Sequence, residues 1–330
     1  DNTTVGHNSL KTNTTGDNNA ALGQSALQFN TTADDNTAIG KGALTLNTTG
    51  AQNVAVGANA LDANTTANNN VAVGFESLTS NTTGTNNVAL GVQTLKQNTT
   101  GGSNIALGNT ALFFTSESNN VAIGNGSQFN TRAASNNTSV GHQSMSANTT
   151  GGNNTAVGFQ ALDANTTATQ GTAVGYNALG ANTTQGSNCA FGAFALSSNT
   201  TGGICDAFGQ NALLSNTTGG SNCAFGFESL QSNTTANSNS AFGFRALKAN
   251  TTGTQNTAVG SLALDANTTA SNNTAVGYKT LTANTTGSGN VAVGDNALGS
   301  NITTGNNTAV GKSALFINTG GNNTAIGYNA

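Results

Sequence analysis

One glycine keeps phase through the whole chain. It closes an Ala-Val-Gly-like triplet at Gly6, Gly23, Gly40, Gly57, Gly74, Gly91 and Gly108, then at Gly124, Gly141, Gly158, Gly175, Gly192 and Gly209, and on through Gly226, Gly243, Gly260, Gly277, Gly294, Gly311 and Gly327. Every step is 17 residues except Gly108 to Gly124 and Gly311 to Gly327, which are 16. A short fixed period means that one small unit stacks on copies of itself, because no unit of that size buries a core alone. The expectation is one continuous array over residues 1–330, about 19 coils long, and not the two globular domains that length alone would suggest. The chain opens and closes inside a repeat, so it reads as a piece of a longer fibre.

Positions within a unit are counted from the residue after the ruler glycine. Position 3 is small, position 4 is nearly always Leu (Met145 is an exception), positions 7 to 9 read Asn-Thr-Thr, and position 13 is nearly always Asn. Positions 14 to 16 read Thr/Val-Ala-Val/Ile/Leu/Phe. This density of Gly, Asn and β-branched residues opposes helix, and no stripe with a 3.6-residue period is long enough to make one. Two short strands per unit fit better, through Thr-Ala-Val and through Ala-Leu, each bounded by turn formers. Strands this short need parallel neighbours about 4.8 Å away. The fold class expected is therefore all-β, a parallel β-solenoid or β-roll with 17 residues per coil and a length of roughly 90 Å. The complete lack of proline agrees with a chain hydrogen-bonded along its length.

Alternation along a strand places the side chains. With positions 14 and 16 taken inward, Val157, Val174, Phe191, Phe208, Phe225 and Phe242 form a core ladder with Leu162 and Leu179 opposite. Ala at position 15, such as Ala156, then faces outward and suits a neighbouring chain. The invariant glycine, as at Gly141, Gly158, Gly175 and Gly192, marks a corner with positive φ or a backbone approach too close for a Cβ. Position 10 accepts Ala33, Ala67, Ala168 and Gln185 in place of Gly, which predicts an ordinary backbone there. Asn at 7 and 13 is expected at corners in left-handed geometry, its amides stacking from coil to coil.

Some coils depart from the pattern. Phe191, Phe208, Phe225 and Phe242 are accompanied at position 14 by Cys189, Asp206, Cys223 and Ser240. They read as a local Phe stack with small thiols filling space beside it and Cys205 at position 13 on the opposite face; buried free thiols are the reading, and a disulfide is the alternative. Asp206 at an inward position has no physical account. The segment 113–118 loses a residue and its Asn-Thr-Thr, and 128–132 is also out of pattern, so a kink or bulge is expected there.

Chemistry is sparse. Only 6% of residues are charged and the net charge is −4, which argues against a basic nucleic-acid surface. No apolar run reaches the ~18 residues of a membrane span. His7 and His142 lie eight coils apart. Asp62, Asp163 and Asp265 share position 5 without pairing, so no catalytic, metal or cofactor site is expected. Aromatics at position 1, namely Phe159, Tyr176, Phe227 and Phe244, form a stripe that would contact a ligand or simply cover the solenoid edge. The Asn-Thr-Thr motif is a glycosylation sequon, as at Asn47, Asn64, Asn81 and Asn98, although sugars on every coil would crowd. Its threonines lie beside a turn and do not make a flat ice-binding array.

The phrase Asn-Asn-Thr-Ala-Val-Gly-x-x-Ala-Leu, as at Asn153–Leu162 and Asn272–Leu281, is similar to repeats of bacterial tail-fibre-domain proteins, in period as well as motif. More loosely, its Ala-Val-Gly core resembles the head repeats of YadA-like trimeric autotransporter adhesins, whose repeat is shorter. The resemblance covers essentially the whole chain, and the adhesin likeness implies left-handed coils packed as homotrimers. The functional expectation is a non-enzymatic extracellular, cell-surface or virion fibre shaft that presents a tip or adheres. Two alternatives stand beside it: a carbohydrate- or surface-binding adhesin that uses the position-1 aromatics, and an extracellular filament of solenoids stacked end to end, glycosylated if the sequons are used. The expected partner is the chain itself, with surface glycans a second candidate.

Overall fold

The computed structural model describes residues 1–330 and contains β-strands and turns but no helix. The chain divides into two compact units, Asp1–Thr169 and Gln170–Ala330. The first holds β1 (Thr3–Val5), β2 (Ala20–Leu22), β3 (Thr37–Ile39), β4 (Val54–Val56), β5 (Val71–Val73), β6 (Val88–Leu90), β7 (Ile105–Leu107), β8 (Val121–Ile123), β9 (Thr138–Val140) and β10 (Thr155–Val157). The second holds β11 (Thr172–Val174), β12 (Cys189–Phe191), β13 (Asp206–Phe208), β14 (Cys223–Phe225), β15 (Ser240–Phe242), β16 (Thr257–Val259), β17 (Thr274–Val276), β18 (Val291–Val293), β19 (Thr308–Val310) and β20 (Thr324–Ile326). Within each unit every strand pairs in parallel with the next, position for position, as Thr37↔Val54 and Ala38↔Ala55 in the first and Thr257↔Thr274 in the second. Each unit is thus a parallel β-solenoid with one three-residue strand per coil.

The strand faces are opposite to expectation. Ala at position 15 is fully buried, including Ala38, Ala55, Ala156 and Ala258, whereas positions 14 and 16 face outward. Val157 is 36% exposed, Phe191 38%, Phe225 36% and Phe242 39%, and Val174 and Phe208 are half-buried. None of these six belongs to the core. Leu162 and Leu179 do, at 1% and 0%. The reason is width. Leu at position 4 projects across the coil interior, together with small residues at position 3 such as Ala26 and Ala43, and these pack against the strand alanines in one cluster. A larger residue at 15 would have no space, so the bulkier Val and Phe are left outside.

The expected second strand is absent. Positions 1 to 7 form two consecutive turns, closed by Ala26 N–H to the Gly23 carbonyl and Asn30 N–H to the Leu27 carbonyl, both 3.3 Å. Residues at positions 2 and 4 are left-handed, for example Asn59 (φ 56°) and Leu61 (φ 50°). This rotates alternate peptides so that they bond to opposite neighbours: Asn59 N–H reaches back to the Lys41 carbonyl, and Leu61 N–H forward to the Ser77 carbonyl. Coil-to-coil bonding therefore continues around the turn without a strand.

Asn at 7 and 13 is interior, with ordinary φ, and the third left-handed site is position 12 (Asn69, φ 61°). The Asn64 amide donates to the Asn47 side-chain carbonyl at 2.8 Å and to the Ala67 main-chain carbonyl at 3.0 Å. At position 13, the Asn53 side-chain carbonyl accepts Asn70 N–H at 2.9 Å while the Asn53 amide donates to the Ala67 carbonyl at 2.9 Å. Two amide columns thus satisfy the polar groups of a thin interior, as buried polar atoms require.

All twenty ruler glycines have φ between 127° and 143°. A Cβ on Gly141 would lie 2.2 Å from the Gly158 carbonyl oxygen, and those on Gly175 and Gly192 would lie 2.5 and 2.6 Å from backbone atoms of the next coil. Both causes anticipated for the invariance act together. Position 10 has ordinary φ, as expected.

Candidate functional site

Each unit presents an outward strand face that recurs in every coil. Period-two alternation puts positions 14 and 16 on one side, and in-register pairing turns them into two columns. In the first unit they read Val54/Val56, Val71/Val73, Val88/Leu90 and Ile105/Leu107 through the middle, with no charged residue from β1 to β10. In the second unit Asp206 is the one charged residue on the face. At a coil step of about 4.8 Å, ten coils present roughly 300–400 Å² of this mixed apolar and hydroxyl surface per unit, comparable to the largest patch on a typical monomer, which is often functional.

Four coils of the second unit carry a variant of this face. Phe191, Phe208, Phe225 and Phe242 stack ring on ring, with centroids 5.0, 4.4 and 5.2 Å apart and planes within 9–13°. The Phe stack was anticipated, but it is outside. Cys189, Asp206 and Cys223 run beside it on β12 to β14. Asp206 is therefore no buried carboxylate: it is exposed, which removes the oddity of its position. Cys189 and Cys223 are half-buried free thiols, not core residues. Cys205 alone is inward, with its thiol donating to the Gly219 carbonyl at 3.3 Å in the place of an Asn amide. Burial pushes all three thiols above their ordinary pKa, and Asp206 adds to it.

The position-1 aromatics are exposed, and each has a neighbouring ring. Phe159 stacks on His142 at 5.4 Å, and Phe227 on Phe244 at 5.7 Å with the Arg245 guanidinium 4.9 Å over Phe244. Tyr176 meets Phe194 edge to face at 4.9 Å. The structure places Phe227 and Phe244 together, as adjacent coils require.

The sequon asparagines Asn47, Asn64, Asn81 and Asn98 are fully buried, each with its amide nitrogen donating to a neighbour. A glycan on that nitrogen is incompatible with the folded coil, which overturns them as glycosylation sites. In the same tripeptide, Thr48 and its equivalents donate to the next coil's carbonyl, and the second Thr is exposed.

The position-5 carboxylates each take a hydroxyl from an adjacent coil: Asp163 from Ser146 and Asp265 from Thr282, both at 2.5 Å. Burial raises the pKa of Asp62, and a hydrogen bond with Thr45 opposes it. No group of three or more His, Cys, Asp or Glu side chains is arranged to hold a metal ion. No helix is long and apolar enough to cross a membrane.

What sequence reasoning missed is the left-handed residues. Gly42 and Gly126 at position 2, among Asn8, Asn59, Asn177, Asn211 and Asn296, were the signal, since Gly and Asn adopt that conformation most easily. Comparison of the chain with protein-family models and with curated proteins gave no match.

Proposed function

We propose that this chain is a structural, non-enzymatic shaft segment of an extracellular, cell-surface or virion fibre, and that its outward strand face joins it to further copies of itself. The observation that carries this reading is the uncharged double column at positions 14 and 16, unbroken from β1 to β10. A second copy is the partner whose spacing matches this face coil for coil. The alanine face first expected to serve this role is interior, and the strand face takes its place. A homotrimer is the assembly that the adhesin resemblance favours.

Light scattering on the purified chain tests the association. A multimer is expected, and Val56→Lys with Val73→Lys and Leu90→Lys should reduce it to monomer, because three cations on the face must lose water to pack. A wild-type chain that stays monomeric at tens of micromolar would sink the self-association.

A further inference from the structure

We propose that Cys189 and Cys223 are covalent cross-linking points between copies of this chain. The inference rests on the self-association reading and adds a chemical bond to it.

The geometry leaves these thiols no cysteine partner within the chain. Both occupy position 14, with Asp206 on the strand between them. Two rungs separate them by about 9.6 Å, beyond the ~7 Å that a disulfide can span between Cα atoms. Cys205 is next to Asp206 in sequence, but its side chain is turned into the interior and hydrogen-bonded there. Cβ vectors that point apart cannot be bridged without moving backbone. Cys189 and Cys223 remain free on the face proposed to meet another copy, flanked by exposed Phe191 and Phe225. Two sheets packed face to face can be joined this way, as immunoglobulin sandwiches are by their inter-sheet disulfide.

The oxidant is a small-molecule disulfide such as oxidised glutathione. One protein thiolate attacks a glutathione sulfur, which forms a mixed disulfide and releases one glutathione thiolate. The thiolate of the second copy then attacks the protein sulfur of that mixed disulfide. The protein–protein S–S bond forms, the second glutathione leaves, and the two thiol protons pass through solvent to the two glutathiones. Two protein thiols are oxidised and one glutathione disulfide is reduced.

The full chain, treated with oxidised glutathione in mildly alkaline buffer, is followed by non-reducing electrophoresis, with light scattering run in parallel. Ser240 occupies position 14 two strands from Asp206, so Cys→Ser is compatible with this part of the coil. The expected result is a cross-linked species in the wild type, reversed by dithiothreitol, kept in Cys205→Ser and lost in the Cys189→Ser, Cys223→Ser double variant. The double variant should still associate by light scattering. A Cys189→Ser variant that still cross-links supports the inference with like residues meeting. One that loses all cross-links assigns them to Cys189, and Cys223→Ser then tells a Cys223 partner, if it also loses them, from a second Cys189, if it keeps them. A multimeric wild type that gains only glutathione adducts overturns the cross-link and leaves the self-association standing, as does a cross-link that persists in the double variant. A monomeric wild type removes both.

Discussion

The regular coils of the first unit and the two coils between Gly108 and Gly141 differ in which ladder they keep. From Asn98 back to Asn13 each position-7 amide donates to the side-chain carbonyl of the Asn in the preceding coil, without a gap. At the short coil this column stops. Thr115 and Thr131 stand in place of Asn, and the Asn98 side-chain carbonyl and the Thr131 hydroxyl are buried without a partner. Leu at position 4 becomes Gln128, Ala at 15 becomes Ser139, and Ser127 bonds both Ser139 and Ser144 in the interior. Yet the position-13 column passes straight through, with Asn120 N–H on Asn104 and Asn137 N–H on Asn120. The strands keep register as well, Ile105↔Val121 and Val121↔Thr138, so the bulge expected here is absent from the ladder. The missing residue is taken up on the Asn-Thr-Thr side, where Phe113, Phe114 and Phe129 cluster outside, with Arg132 4.5 Å over Phe114. In these coils the strand register, the ruler glycine and the position-13 Asn beside them are thus the frame that is kept, and the rest of the coil is negotiable.

That contrast orders the mutations. Gly141→Val strikes the frame: a branched side chain at φ 143° meets the Gly158 carbonyl at 2.2 Å, and the loss should be about 3–5 kcal/mol. Thermal unfolding that matched the parent would contradict the account of the frame. Asn64→Ala strikes the negotiable column where it is intact. It leaves the Asn47 and Asn81 side chains and the Ala67 carbonyl short of a partner, and about 1–3 kcal/mol should be lost in denaturant titration. Gln128→Leu combined with Ser139→Ala restores the regular interior and removes the unpartnered Gln128 side-chain carbonyl. Ser127 then has the arrangement of Ser77, which donates to the Ala89 carbonyl. This pair should raise stability by about 1–2 kcal/mol, and a lower melting temperature would mean that the polar cluster is itself stabilising. The smallest effect belongs to the outer clamp of Glu228 with Arg245 and Lys248, at 2.8 and 2.7 Å. Glu228→Gln should cost under about 1 kcal/mol.

The same clamp fixes a pH dependence. The hydrogen bond from Lys248 is the main cause that holds the Glu228 carboxyl below its ordinary 4.5, and Lys96 acts likewise on Glu76. A depressed carboxyl adds stability that is present above its unfolded value and is lost as pH falls through the folded one. A modest decline in melting temperature is therefore expected only below about pH 4.5. Glu228→Gln together with Glu76→Gln should flatten it. An unchanged slope in that double variant would assign the acid sensitivity to other carboxylates.

Much of the coil was legible in the residues, because the period and the glycine carry direct backbone meaning. Position 10 was read correctly because alanines replace glycine there. Leu162 and Leu179 were placed inside because position 4 carries a large aliphatic side chain in nearly every coil. The left-handed sites at 2, 4 and 12 were not, since Leu61 at φ 50° contradicts the usual preference of a large side chain and is set by closure of the turn around it. The sequon reading failed for a related reason. Asn-Thr-Thr looks the same to a motif whether its amide points to solvent or into a buried column.

The sequence by itself determined the repeat, the parallel stacking and the rule that position 15 faces away from 14 and 16. Period-two alternation guarantees that much and no more: it separates two faces without saying which one is inside. Hydrophobicity favoured Val and Phe for the interior. Only the tertiary structure reversed this, because Leu from the turn side already fills a narrow coil and leaves room across from it for a methyl group. The larger apolar side chains were displaced to the surface, and with them the face on which the proposed function depends.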